Sequence, residues 1–152
     1  MTQRYNRRQF LRTTARFASC AVPFIIPAAA LGRAGRIAPS ERILIGCIGV
    51  GTMGTVDMRA MMSLPEAQVV AICDVNRNAR EQAKQLVDAQ YGGEVCATYN
   101  DFRELLERRD IDAVNIATLD SWHVLHALAA VRAGKDVYLE KPMGMSIHEI
   151  KV

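Results

Sequence analysis

Ile43-Leu-Ile-Gly-Cys-Ile48, Gly49-Val-Gly51-Thr-Met-Gly54 and, after an intervening helix-length stretch, Gln68-Val-Val-Ala-Ile-Cys73-Asp74 are the residues that decide the fold. An unbroken apolar run that meets G-x-G-x-x-G is a buried strand entering a helix through a glycine turn. In such a turn the first glycine makes the tight bend, the second lets the backbone approach a pyrophosphate, and the third lets helix pack close on strand. Gly49, Gly51 and Gly54 take these places, and Thr52 and Met53 belong to the same phosphate-facing loop. The unpaired amides and positive dipole end of the following helix favour an anion there. Asp74 closes the second apolar run twenty residues past Gly54, at the expected distance for a carboxylate that accepts hydrogen bonds from the adenosine ribose. NAD is therefore the expected cofactor, preferred over NADP because Asp74 repels a 2′-phosphate, with Arg77 and Arg80 near enough to soften that preference.

The front of the chain carries a separate message. No acidic residue precedes Glu41, five arginines (4, 7, 8, 12 and 16) crowd the start, and Phe17 to Leu31 is almost wholly apolar or small. That is the layout of an export signal. Asn6-Arg7-Arg8-Gln9-Phe10-Leu11-Arg12 is similar to the twin-arginine consensus. The apolar stretch is shorter than the roughly twenty residues of a spanning helix and contains Pro23 and Pro27, so no stable membrane span is expected after cleavage. The expected organisation is a signal peptide over residues 1–30, a linker over 31–42 and one domain over 43–152, with delivery to the periplasm by the twin-arginine export machinery; the competing location is the cytoplasm.

Removing residues 1–30 takes five arginines with it, so the net charge falls from +3 to about −2. The basic balance belongs to the leader, and no basic, aromatic surface remains to suggest nucleic acid. Cys47 and Cys73 fall in apolar runs and Cys96 follows a Gly-Gly turn. With no Cys/His spacing that would hold zinc, no metal is expected, and these cysteines read as small buried hydrophobes.

Beyond Asp74 the pattern alternates. A helix is predicted from Gly51 to about Leu64, with Met53, Met58, Met61 and Met62 as core filling, and another over Asn78 to Tyr91, ended by Gly92-Gly93. Val95 to Thr98 reads as a short third strand, Asp101 with Glu104 as a capping box, Asp112 to Ala117 as a fourth strand, Trp122 to Ala133 as a helix, and Asp136 to Leu139 as a fifth strand. The prediction is an α/β Rossmann-type doubly wound parallel sheet of about five strands, with a ligand crevice at the carboxyl ends of the strands. Thr118 to His123 and Glu140-Lys141-Pro142 follow strands four and five, so both loops are expected at that rim.

Taken with Cys73-Asp74-Val-Asn, Tyr99-Asn-Asp-Phe-Arg, Ile116-Ala-Thr118 with His123, and Glu140-Lys141-Pro142, the glycine motif resembles the Gfo/Idh/MocA oxidoreductases. The resemblance implies an NAD(P)-dependent oxidation at the CH–OH group of a sugar, cyclitol or related alcohol. It implies that Lys141 contacts nicotinamide and substrate and assists loss of the hydroxyl proton, with His123 a second catalytic candidate and Thr118 and Glu140 on the cofactor. Leu119 and Ser121 depart from the family pattern, which has Pro at the first place and often His or another polar residue at the second.

Ser146 and Glu149 form a capping box that opens a helix with about one turn of sequence left. In the family a second domain follows and supplies most of the substrate pocket. Two expectations follow from this: the chain is the cofactor-binding half of an exported dehydrogenase, binding NAD weakly or not at all and without turnover alone, or it is a non-catalytic dinucleotide-binding remnant.

Overall fold

The computed structural model describes residues 37–151. The twin-arginine segment, the expected signal peptide and the first half of the expected linker lie outside the described residues; within the rest of the linker, Pro39–Glu41 forms a 3-10 turn.

From there the chain alternates as β1 (Ile43–Ile48), α1 (Thr52–Met62), β2 (Ala67–Cys73), α2 (Arg77–Tyr91), β3 (Ala97–Tyr99), α3 (Phe102–Leu106), β4 (Ala113–Ile116), α4 (His123–Arg132), β5 (Asp136–Leu139) and α5 (Ile147–Ile150). The five strands form one sheet in the order β3-β2-β1-β4-β5, and every neighbouring pair is parallel. The chain winds outward from β1 to β3, then returns to the other side of β1 to lay down β4 and β5. The reversal between β1 and β4 leaves a crevice at their carboxyl ends, because the connections that follow these two strands turn away from each other.

Both sheet faces are covered, which is why β1 and β2 read as continuous apolar runs and not as alternating ones. On one face Ile45, Cys47, Val69 and Ile72 pack with Met58 and Met62 of α1 and Ala83 and Val87 of α2. On the other, Ile48, Val70, Val114 and Ile116 pack with Leu105 and Leu106 of α3 and Ala130 of α4. Each fully buried Ile or Val of these layers contributes about 1.5–3 kcal/mol relative to exposure, so the two clusters hold the sheet in place. The three described cysteines are free and buried, and burial pushes the Cys47 thiol up to about 12, far from thiolate chemistry at neutral pH.

Several boundaries differ from the sequence expectation for visible reasons. The third strand begins at Ala97 rather than Val95, because Asp88 Oδ1 accepts the amides of Val95 and Cys96 at 2.9 and 3.0 Å and holds them in the turn. The helix expected from Trp122 opens with a 3-10 turn over Asp120–Trp122 and becomes α-helical at His123. Asp101 does cap α3, accepting from the Arg103 amide at 2.9 Å, but Glu104 returns no bond to Asp101 among the described residues. Met53 is not core filling: it is 49% exposed, at the lip of the crevice.

Candidate dinucleotide site

The crevice is a cleft of about 640 Å³ whose walls include Gly49, Gly51, Thr52, Met53, Asp74 and Thr118. Each of the three motif glycines has its own steric reason. Gly49 turns the chain with φ +85°, a conformation that side chains oppose, and a Cβ there would lie 2.6 Å from the Ala117 carbonyl oxygen. At Gly54 a Cβ would lie 2.1 Å from the Gly49 carbonyl oxygen, so α1 can sit this close to the turn only without one. Around Gly51, by contrast, a Cβ would meet nothing within 4 Å. The middle glycine therefore faces open space, on the cleft side of the helix N-terminus.

No side chain caps α1. The amides of its first turn are left to a ligand, and the helix dipole adds positive potential at the same place. This open cradle fits a pyrophosphate. Beside the glycine turn, at the end of β2, Asp74 Oδ2 accepts the Val50 amide at 2.8 Å and Oδ1 accepts the Asn76 amide at 2.8 Å. A carboxylate offers about four lone-pair positions, so two remain for ribose hydroxyls. The guanidinium of Arg80 does not reach into the cleft as a phosphate partner; it donates to the Asp74 carbonyl and to Asn100 Oδ1. Arg77 is held by Glu81 at 2.6 Å.

An aromatic wall in the cleft was not expected from the sequence. Phe102, Trp122 and His126 line it together, the His126 ring lying 4.5 Å from Phe102 edge-on and 5.4 Å from Trp122 in a stack. His126 Nδ1 is also 3.2 Å from Thr118 Oγ1. The spacing of Trp122 and His126, one helical turn apart at the start of α4, was the available signal. Burial, and then the nearby His123, lower the His126 pKa from its ordinary 6.5.

Glu140 and Lys141, just past the end of β5, and His123, at the start of α4, stand outside the cleft walls. Lys141 is exposed, and no ion pair among the described residues joins it to Glu140. His123 is 1% exposed and touches the loops on both sides: Nδ1 lies 2.6 Å from the Pro142 carbonyl oxygen and Nε2 lies 3.1 Å from that of Thr118. The Lys141-Pro142 peptide is cis. Among the described residues no helix is long and apolar enough to cross a membrane, and no three His, Cys, Asp or Glu side chains cluster to hold a metal ion.

Comparison with known proteins agrees with this geometry. The chain is 35% identical over 113 residues to a glycosyl hydrolase family 109 protein of Saccharopolyspora erythraea, covering 72% of this chain and 25% of that protein. A Shewanella pealeana protein of the same description is 29% identical over 163 residues, covering 95% of this chain and 35% of its own length. Among solved structures, scyllo-inositol dehydrogenase from Lactobacillus casei, with bound NAD(H) and scyllo-inositol, superposes with a TM-score of 0.65 at 29% identity over 72% of this chain and 31% of that one. The chain thus spans about a quarter to a third of the length of these relatives. Residues 43–152 match the family described as GFO_IDH_MocA, oxidoreductase family, NAD-binding Rossmann fold, and the chain belongs to that oxidoreductase family through its NAD(P)-binding domain.

Proposed function

We propose that this domain serves a dehydrogenase that oxidises a CH–OH group of a cyclitol, sugar or related alcohol, with NAD preferred to NADP. One observation carries the reading: Lys141 emerges exposed at the carboxyl end of β5, beside the Thr118 wall of a cleft shaped for a dinucleotide. A bound nicotinamide supplies the hydride acceptor. Gly51 and the first turn of α1 would hold the pyrophosphate and Asp74 the adenosine ribose, while the Lys141 ammonium would donate to the substrate oxygen, whose proton passes to solvent as its carbon gives up hydride. An ammonium suits that place because negative charge develops on the oxygen. The inositol dehydrogenase with NAD(H) and scyllo-inositol supports the substrate class.

Similarity to glycosyl hydrolase family 109 proteins supports a second reading, in which the substrate is a glycoside. Formation of NADH on addition of inositols, against release of sugar from glycosides, separates the two. Dinucleotide binding itself is tested with Trp122, the single tryptophan of the chain. NADH is expected to quench its emission and to light up in turn; unchanged Trp122 emission at millimolar NADH overturns the reading.

Export completes the proposal. The arginine pair Arg7-Arg8, the Phe10-Leu11 that follows and the apolar stretch behind them support delivery to the periplasm through the twin-arginine machinery. The likeness to the Shewanella pealeana protein, at 95% of this chain, runs into that front segment.

A further inference from the structure

The last rung between β4 and β5 is the bond from the Glu140 amide to the Ile116 carbonyl oxygen at 2.9 Å, and beyond it the two strands part into their loops. His123 bridges the gap with its side chain. Each ring nitrogen lies at hydrogen-bond distance from a carbonyl oxygen, Nδ1 from Pro142 at 2.6 Å and Nε2 from Thr118 at 3.1 Å; a carbonyl only accepts, so a neutral tautomer donates to one of them, by whichever nitrogen carries the proton, and packs its other edge against the second. Lys141 is consequently held from both sides: the residue before it by the sheet, the residue after it by His123. Thr118, whose carbonyl faces the other ring nitrogen at 3.1 Å, is a wall of the dinucleotide cleft. One buried ring therefore sets the distance between that wall and the lysine.

We propose that His123 is a positioning residue, which fixes the Lys141 backbone against the Thr118 wall so that the ammonium meets the nicotinamide end of the cofactor. His123 does not itself touch the reacting atoms; it is covered by the two loops it joins. This rests on the dinucleotide reading above and adds to it a role for a side chain outside the cleft.

The test compares NAD with ADP, which lacks the nicotinamide half, by ligand-observed NMR on the full chain at millimolar nucleotide. His123→Phe keeps an aromatic ring and removes the ring N–H, His123→Gln restores an N–H of similar reach, and Lys141→Ala is the reference. His123→Phe is expected to leave ADP binding within about twofold of the unsubstituted chain while NAD weakens about tenfold, the worth of one hydrogen bond to a charged group. His123→Gln should regain part of the loss. In the double variant, Lys141→Ala should add little, because the first substitution has already displaced the lysine.

Equal weakening of NAD and ADP, or full additivity in the double variant, overturns the proposal. So does loss of the fold in both His123 variants, which assigns the ring to packing. A chain that binds neither nucleotide sinks the dinucleotide reading, and this proposal with it. A chain that binds both with no change on His123 substitution sinks this proposal alone.

Discussion

Asp74 Oδ2 accepts the Val50 amide at 2.8 Å, so the carboxylate expected to greet the ribose also ties the glycine turn to the end of β2. One residue thus has a structural and a binding role. Asp74→Ala leaves the Val50 and Asn76 amides without their side-chain acceptor, at a cost of about 1–3 kcal/mol in urea unfolding. It should also narrow the preference for NAD, because the charge that repels a 2′-phosphate is gone. Equal binding of NAD and NADP by the unsubstituted chain would contradict the assignment.

Two glycines in the same loop should respond in opposite ways. Gly51→Ala meets open space at φ −65°, so its unfolding free energy should stay within about 1 kcal/mol of the parent while NAD affinity drops at least tenfold, since the methyl occupies the pyrophosphate's approach. Gly54→Ala drives a Cβ to 2.1 Å from a backbone oxygen and should lose stability outright. A Gly51→Ala chain that binds NAD normally would move the cofactor elsewhere.

The lowered pKa of His126 predicts a pH dependence. A base whose folded pKa lies below its unfolded value binds fewer protons in the native state across that interval, so its contribution to stability is full above 6.5 and is lost as pH falls from 6.5 through the folded value. Trp122, stacked on His126 at 5.4 Å, reports the same titration because an imidazolium quenches indole. Its emission should fall with acid at a midpoint below 6.5, and His126→Gln should remove the transition. A midpoint at or above 6.5 is the contrary result.

Asn115 is fully buried in β4, and both polar atoms of its amide lack a hydrogen-bond partner among the described residues. Asn115→Val has similar volume, suits a strand and removes two unpaired groups. It should raise stability by about 1–3 kcal/mol in urea unfolding. A destabilised variant would mean that the amide is satisfied by something else in solution.

Export has a direct readout. Replacing Arg7 and Arg8 together by Lys preserves charge and removes the guanidinium pair, so the chain should accumulate inside the cell. Unchanged periplasmic delivery of the double variant would end the twin-arginine reading.

What the sequence determined by itself was local and periodic. The apolar runs of β1, β2 and β5, the glycine turn, the acid that follows it and the cap at Asp101 each depend on neighbours within a few residues, and each stands where the spacing put it. The alternation of strand and helix also announced the parallel sheet, since parallel strands need such crossovers. Tertiary structure decided what depends on residues far apart along the chain. Asp88 and the amides it captures set the start of β3, the meeting of α3 with α4 brings Phe102 against His126, and the packing of two loops turns His123 inward between Thr118 and Pro142. A histidine at a helix start reads the same whether it meets solvent, substrate or carbonyls. Only the folded position of the loops around it selects among them, because a hydrogen bond is made by geometry between groups and not by either group alone.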